Sequence, residues 1–181
     1  MKNLTSLIAL SVILLWTSPV SAKVYHTRDE ALAMAFPGAD GMEKKTVFLD
    51  DEEKKRVELL ARAKLDSRIL TFHIGKKGNN LLGYALLGSH IVRTKPEVYM
   101  VVINPDGSLK RVEILAFYEP EEYLPTRRWF DLFAGKVLDD TLWPKRGVDA
   151  ITGATMSVYG ITGEVRKALA VFKIMIKGES K

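Results

Sequence analysis

Val98-Tyr99-Met100-Val101-Val102-Ile103, then Asn104-Pro105-Asp106-Gly107, then Leu109 through Ala116: this stretch decides the fold. Two runs rich in aliphatic and β-branched residues flank a four-residue turn, and that pattern predicts a hairpin. Upstream, Ile69 to Ile74 and Leu81 to Val92 have the same composition, while the last run extends to Phe117. The middle third therefore reads as successive antiparallel strands. Gly83 and Gly88 interrupt the longest and mark bulges or close approaches.

Helical signals surround this sheet. Thr27-Arg28-Asp29-Glu30 is a capping box ahead of Ala31, Leu32, Met34, Ala35 and Phe36, and Pro37-Gly38 ends that helix. Lys44 to Leu49 reads as a further strand. Asp50 or Asp51 caps a second helix to about Leu65, with Val57, Leu60, Ala61 and Lys64 along one stripe. Pro125 opens a helix through Phe133, closed by Gly135. From Val158 to about Ile176, the residues Val158, Ile161, Val165, Ala168, Leu169, Phe172 and Ile176 share one face, as a helix packed on a sheet requires. With no repeat or linker, the chain is expected to be a single α+β domain: an antiparallel sheet with packed helices and a C-terminal helix.

The chain of 181 residues begins differently. A short positive start, Met1-Lys2, precedes an apolar run from Leu7 to Trp16 broken only by Ser11, and Val20-Ser21-Ala22 supplies small residues for a signal peptidase. Residues 1–22 are expected to be a cleavable signal peptide and residues 23–181 the domain, placed in the periplasm or otherwise outside the cytoplasm. The alternative is a membrane tether by an uncleaved N-terminus. An apolar run of about ten residues is too short for a spanning helix, which needs roughly 20.

Composition removes several functions. At 47% hydrophobic and 27% charged residues, the chain is ordinary globular material. The leader holds one lysine and no acid, so the whole-chain charge of +5 becomes +4 without it. Basic residues occur in scattered pairs answered by acids at Asp50 to Glu53 and Glu119 to Glu122, which argues against nucleic acid as a partner. There is no cysteine. That excludes disulfides, Cys-ligated clusters and C-x-x-C-H haem attachment, so a redox role needs another cofactor. His26, His73 and His90 are dispersed and offer no metal site. The Asp50 to Glu53 run is a helix start rather than a calcium loop.

Asp149-Ala150-Ile151-Thr152-Gly153-Ala154-Thr155-Met156-Ser157, just before the last helix, carries the chemistry. Three hydroxyls cluster around Gly153 and Ala154, which allow close approach. A helix start favours a phosphate there. Read alone, the segment fits a phosphate-bearing ligand or simply a threonine cap on a tight turn.

Asp149-x-x-Thr152-Gly153-Ala154-Thr155 resembles the flavinylation motif of the FMN-binding domain family. That family includes the flavin-carrying subunits of Rnf complexes and of sodium-pumping NADH:quinone oxidoreductases, together with stand-alone exported proteins. Gly83-Tyr84, the Val92-to-Glu97 corner, the Pro105-Asp106-Gly107 turn and Val112-Glu113-Ile114-Leu115 follow the family's order. Phe117-Tyr118-Glu119-Pro120, Tyr123-Leu124-Pro125 and Arg128-Trp129 resemble its stand-alone branch. The Rnf-type subunits have a Thr-Pro-Gly-Leu-Gly-like segment where this chain has Glu119 to Pro125, so their ring contacts and partner do not carry over.

The resemblance implies FMN held by a phosphoester on Thr155, attached by a flavin transferase that draws on FAD. It makes Asp149, Thr152, Gly153, Ala154 and Ser157 the surrounding cofactor-binding positions. Glu119, Tyr123, Arg128 and Trp129 form a secondary group: Tyr123 or Trp129 stacks on the ring, and Arg128 faces its N1–O2 edge or the phosphate. The competing reading of Trp129 is core. His90 and Arg93 are further candidates near the flavin. A covalent cofactor suits an exported carrier, because it is not lost by dilution. No catalytic triad is visible and no residue is given a catalytic role. The implied function is electron relay between redox proteins, soluble or membrane-bound. The alternatives are a flavin-dependent reductase of a small substrate and a non-redox ligand-binding module.

Overall fold

A computed structural model describes residues 23–178, so the expected signal peptide lies outside the described residues. Six strands, β1 (Lys23–Val24), β2 (Gly41–Phe48), β3 (Ile69–Lys77), β4 (Asn80–Ile91), β5 (Pro96–Ile103) and β6 (Leu109–Phe117), form one antiparallel sheet. Their order is β1-β6-β5-β4-β3-β2, so every neighbour after the short edge strand β1 is a neighbour in sequence. The helices are α1 (Arg28–Ala35), α2 (Asp51–Ala61), α3 (Arg127–Asp131) and α4 (Thr155–Val171). This is the expected α+β domain.

The β5–β6 hairpin explains the two-sided apolar runs. Tyr99, Val101 and Ile103 enter the larger core, beneath α2, α3 and α4, while Met100 and Val102 enter a smaller one beneath α1. A strand covered on both faces reads as continuous rather than alternating hydrophobicity. The turn is built as the sequence predicts: Gly107 has φ 97° and the Asp106 carboxylate accepts from the Ser108 amide at 2.8 Å.

Both glycines of β4 permit close approach. A Cβ on Gly83, at φ 139°, would stand 2.5 Å from the Ile103 carbonyl oxygen. Gly83 pairs with Gly75 and Leu81 with Lys76, leaving Leu82 as the extra residue of a bulge. Gly88 lies under the Tyr99 side chain, whose hydroxyl would meet an added Cβ at 2.4 Å.

Helices α1 and α2 start in capping boxes, Thr27 with Glu30 and Asp50 with Glu53. The second helix ends earlier than its pattern implies, at Ala61 rather than near Leu65. Arg62 turns left-handed at φ 56°, and Glu58 reaches forward to accept from the Leu65 amide at 2.9 Å. Leu60, placed on the buried stripe by spacing, is 38% exposed. Strand β2, expected over Lys44 to Leu49, starts at Gly41 and ends at Phe48. The helix expected from Pro125 begins at Arg127, with Thr126 as its N-cap, and Gly135 at φ 77° follows its last turn.

The last helix starts at Thr155 and passes into a π-helical turn over Phe172–Ile176. All seven residues assigned to its inner face are buried. Each large apolar side chain so removed from water contributes about 1.5–3 kcal/mol. Two charged residues of the helix, Glu164 and Arg166, are buried with them. Arg166 is 2% exposed, and its guanidinium donates to the carbonyls of Ala61 (2.7 Å), Leu60 (3.1 Å), Asp139 (2.6 Å) and Leu142 (3.0 Å). It thereby satisfies the C-terminal carbonyls of α2 and pins the 139–142 segment that leads toward the start of α4. Among the described residues, no helix is long and apolar enough to cross a membrane.

Candidate functional site

The start of α4 is positioned from three sides. Behind it, the Trp129 indole donates to the Asp149 carbonyl at 2.7 Å, and the Trp129 ring packs edge-on against Phe130 and Phe133. Trp129 is thus a core residue that also holds the incoming loop. Below it, the buried Ser157 hydroxyl donates to the Tyr123 carbonyl, joining the first turn of α4 to the 3-10 turn at Glu121–Tyr123. Beside it stands the corner between β4 and β5. The Glu119 carboxylate gathers that corner by accepting from the Thr94 amide (2.6 Å), the Lys95 amide (2.8 Å) and the Thr94 hydroxyl (3.1 Å). Those donors, the Thr94 amide foremost, hold the Glu119 carboxyl below its ordinary pKa.

The N-cap of α4 is Ala154, and no side chain caps the helix. The threonine-cap reading therefore does not describe this turn. Thr155 is the first helical residue, exposed, with its hydroxyl donating to the Ile151 carbonyl at 3.3 Å. Gly153 has φ 90°, which favours glycine, and open space where a Cβ would stand. Asp149 and Thr152 are exposed as well, so the polar side chains of the motif face solvent together.

Thr155 borders a hollow of about 150 Å3 whose walls include Val92, Arg93, Tyr123, Gly153, Met156 and Ser157. The Arg93 guanidinium lies 4.6 Å from the centre of the Tyr123 ring. The cation at this wall is therefore Arg93, which the sequence places at the Val92-to-Glu97 corner. Arg128 is exposed on α3 and does not line the hollow. Glu119 acts one step back, by shaping the corner that carries Arg93. His90 lies elsewhere, with Nε2 3.2 Å from the buried Glu97 carboxylate and its ring against Gly160. His73 sits on β3 beside Arg28. Among the described residues, no group of three or more His, Asp or Glu could hold a metal ion.

The arrangement offers an exposed hydroxyl, an uncapped helix start and a guanidinium around one small hollow. Those are the elements of a phosphate site. At about 150 Å3 the hollow is below the roughly 300–1,000 Å3 typical of pockets that enclose a whole ligand. It suits the phosphate end of a larger molecule whose remainder lies outside.

Residues 94–170 match the family model of the FMN-binding domain. The matched segment runs from the corner before β5 almost to the end of α4 and contains the whole Asp149-to-Thr155 motif, which supports FMN as the ligand. Arg93 stands one residue before it. No curated protein matches the chain.

Proposed function

We propose that this protein is an exported electron-transfer flavoprotein carrying FMN in phosphoester linkage to Thr155. The observation that carries the reading is Thr155, exposed at the uncapped start of α4, inside the matched segment and bordering the hollow that Arg93 also lines.

In the maturation step, Thr155 Oγ forms a bond to the flavin-side phosphorus of FAD, the bond from that phosphorus to AMP breaks, and the hydroxyl proton is released. No electron changes hands. The exposure of Asp149, Thr152 and Thr155 leaves the motif open to a flavin transferase. After attachment, Arg93 and the start of α4 oppose the remaining phosphate charge. Met156 and Tyr159, exposed on the same side-chain row of α4, offer apolar surface to the ring outside the hollow.

FMN passes one or two electrons, which suits a relay in a chain without cysteine. The donor and acceptor are redox proteins, and the site of action is outside the cytoplasm. Producing the protein with and without a flavin transferase tests the reading. Colour that stays with the unfolded chain only when the transferase is present supports it; a colourless product under both conditions overturns it.

A further inference from the structure

Between Trp143 and Asp149 the chain makes a turn that is fixed from several sides. The Trp143 carbonyl accepts from the amides of Arg146 (3.1 Å), Gly147 (3.3 Å) and Val148 (3.3 Å), and the Lys145 amide donates to the Val148 carbonyl at 2.9 Å. Pro144 and Val148 are buried at its two feet, and a Cβ on Gly147 would stand 2.6 Å from the Thr141 carbonyl oxygen. Lys145 is held at φ 67°, a left-handed conformation uncommon for a residue with a side chain. Such strain persists only where the surrounding structure enforces it. Its result here is that Lys145 and Arg146 both stand exposed at the tip of a rigid turn, just ahead of the motif.

The charges at this tip are unanswered. Lys54, Arg62, Lys64, Arg68, Lys76 and Arg127 each lie against a carboxylate. Among the described residues, neither Lys145 nor Arg146 forms an ion pair. The acids just upstream are engaged elsewhere: Asp139 accepts from the Thr141 amide and hydroxyl at 2.7 Å each, and Asp140 pairs with Arg62 at 2.6 Å. Burial first, then the Arg62 charge and, more weakly, the Arg146 charge lower the Arg166 pKa, against Asp140 and Asp139. The turn is also fastened to the flavin side of α4. Trp143 meets Tyr159 edge-on, with ring centres 6.1 Å apart, and Thr155, Met156 and Tyr159 are neighbours on one side of that helix.

We propose that Lys145 and Arg146 dock an acidic redox protein beside the Met156–Tyr159 row, so that the partner passes electrons singly to or from the flavin. The partner's redox class rests on the reading of Thr155 as the flavin site, whereas its acidity rests on the turn alone. Electron-transfer complexes are small, burying under about 1,200 Å2, and charge steers their encounter. Two unpaired cations on a rigid turn suit such a contact. An anionic membrane is read instead by clusters of about four to eight cations.

Amide NMR of the flavin-free protein, titrated with octaglutamate at low salt, tests the docking surface whether or not flavin attaches. Shifts are expected over residues 143–149. Double charge reversal, Lys145→Glu with Arg146→Glu, is expected to weaken binding about tenfold or more, and Lys55→Glu with Arg56→Glu on α2 to leave it within about twofold. All four side chains are exposed, so neither pair of replacements disturbs the core. In the flavinylated protein, electron transfer from reduced plant-type ferredoxin, an acidic carrier that loses one electron as the flavin gains one, should slow by about tenfold in the first variant and hardly in the second. Salt at about 0.5 M should erase that difference. Shifts spread equally over other cations, an unaffected Lys145→Glu, Arg146→Glu variant, or ferredoxin rates indifferent to salt would overturn the proposal. So would binding of phosphatidylglycerol vesicles through the turn without any response to octaglutamate, which would assign it to a membrane.

Discussion

The Trp129 indole nitrogen donates a hydrogen bond to the Asp149 carbonyl oxygen at 2.7 Å, tying helix α3 to the first residue of the motif that ends at Thr155. Trp129 keeps its place through Phe130 and Phe133, so the motif inherits the rigidity of the core.

Replacing Trp129 with Phe preserves an aromatic core residue and deletes that donor. The variant is expected to lose about 1 kcal/mol of stability, the net worth of an ordinary hydrogen bond plus some packing. It should also be flavinylated more slowly, because the loop is less fixed. Urea denaturation and a time course of covalent flavin incorporation measure the two effects; full stability with an unchanged rate would remove Trp129 from the account.

The Arg166 fork serves four backbone carbonyls at once. Arg166→Met leaves those acceptors buried without a donor, and a loss of about 3 kcal/mol or more is expected. Arg166→Lys should recover little, since an ammonium does not reproduce the planar fork. Thermal unfolding of both variants checks this, and a lysine variant as stable as the wild type would contradict it.

Glu119 supplies a pH test. Its folded pKa is lowered, so the stability it contributes is fully present above the unfolded value near 4.5 and is lost as pH falls through the folded value. Glu119→Gln is expected to cost about 2 kcal/mol at pH 7, the scale for hydrogen bonds to a charged acceptor. The gap between variant and wild type should close as pH drops below about 4.5. Denaturation series from pH 7 to pH 3 reveal it; a gap that widened toward acid would reverse the sign and refute the assignment.

Two glycines of α4 separate helix propensity from space. Gly to Ala in a helix gains about 1 kcal/mol where nothing obstructs it. At Gly163 the nearest atom to an added Cβ is 3.9 Å away, so Gly163→Ala is expected to stabilise. At Gly160 the Cβ would stand 2.6 Å from Nε2 of His90, whose side chain is buried against Glu97. Forced repacking there costs about 1–3 kcal/mol, so Gly160→Ala should be neutral to destabilising. Opposite ordering of the two melting temperatures would contradict the geometry.

Local chemistry made much of this molecule legible in sequence. The Asn104-to-Gly107 turn, both capping boxes and the seven inner residues of α4 and its π-helical end each depend on neighbours a few positions away, and their positions follow from spacing. What depended on distant partners did not read out. The two-residue strand β1 is defined by pairing with Phe117 and Ala116, which no local pattern encodes. Arg166 looks like a surface charge until the C-terminus of α2 is brought against it. Arg93 and Arg128 were both candidate cations, and the packing of the β4–β5 corner beside α4 sets Arg93 on the wall.

The central claim is a covalent bond at one hydroxyl, and mass spectrometry reads it directly. Protein made with a flavin transferase should gain the mass of FMN less one water, on the tryptic peptide that contains Thr155, and Thr155→Val should gain nothing. No adduct on the wild-type protein, or an adduct that persists in Thr155→Val, would contradict the account.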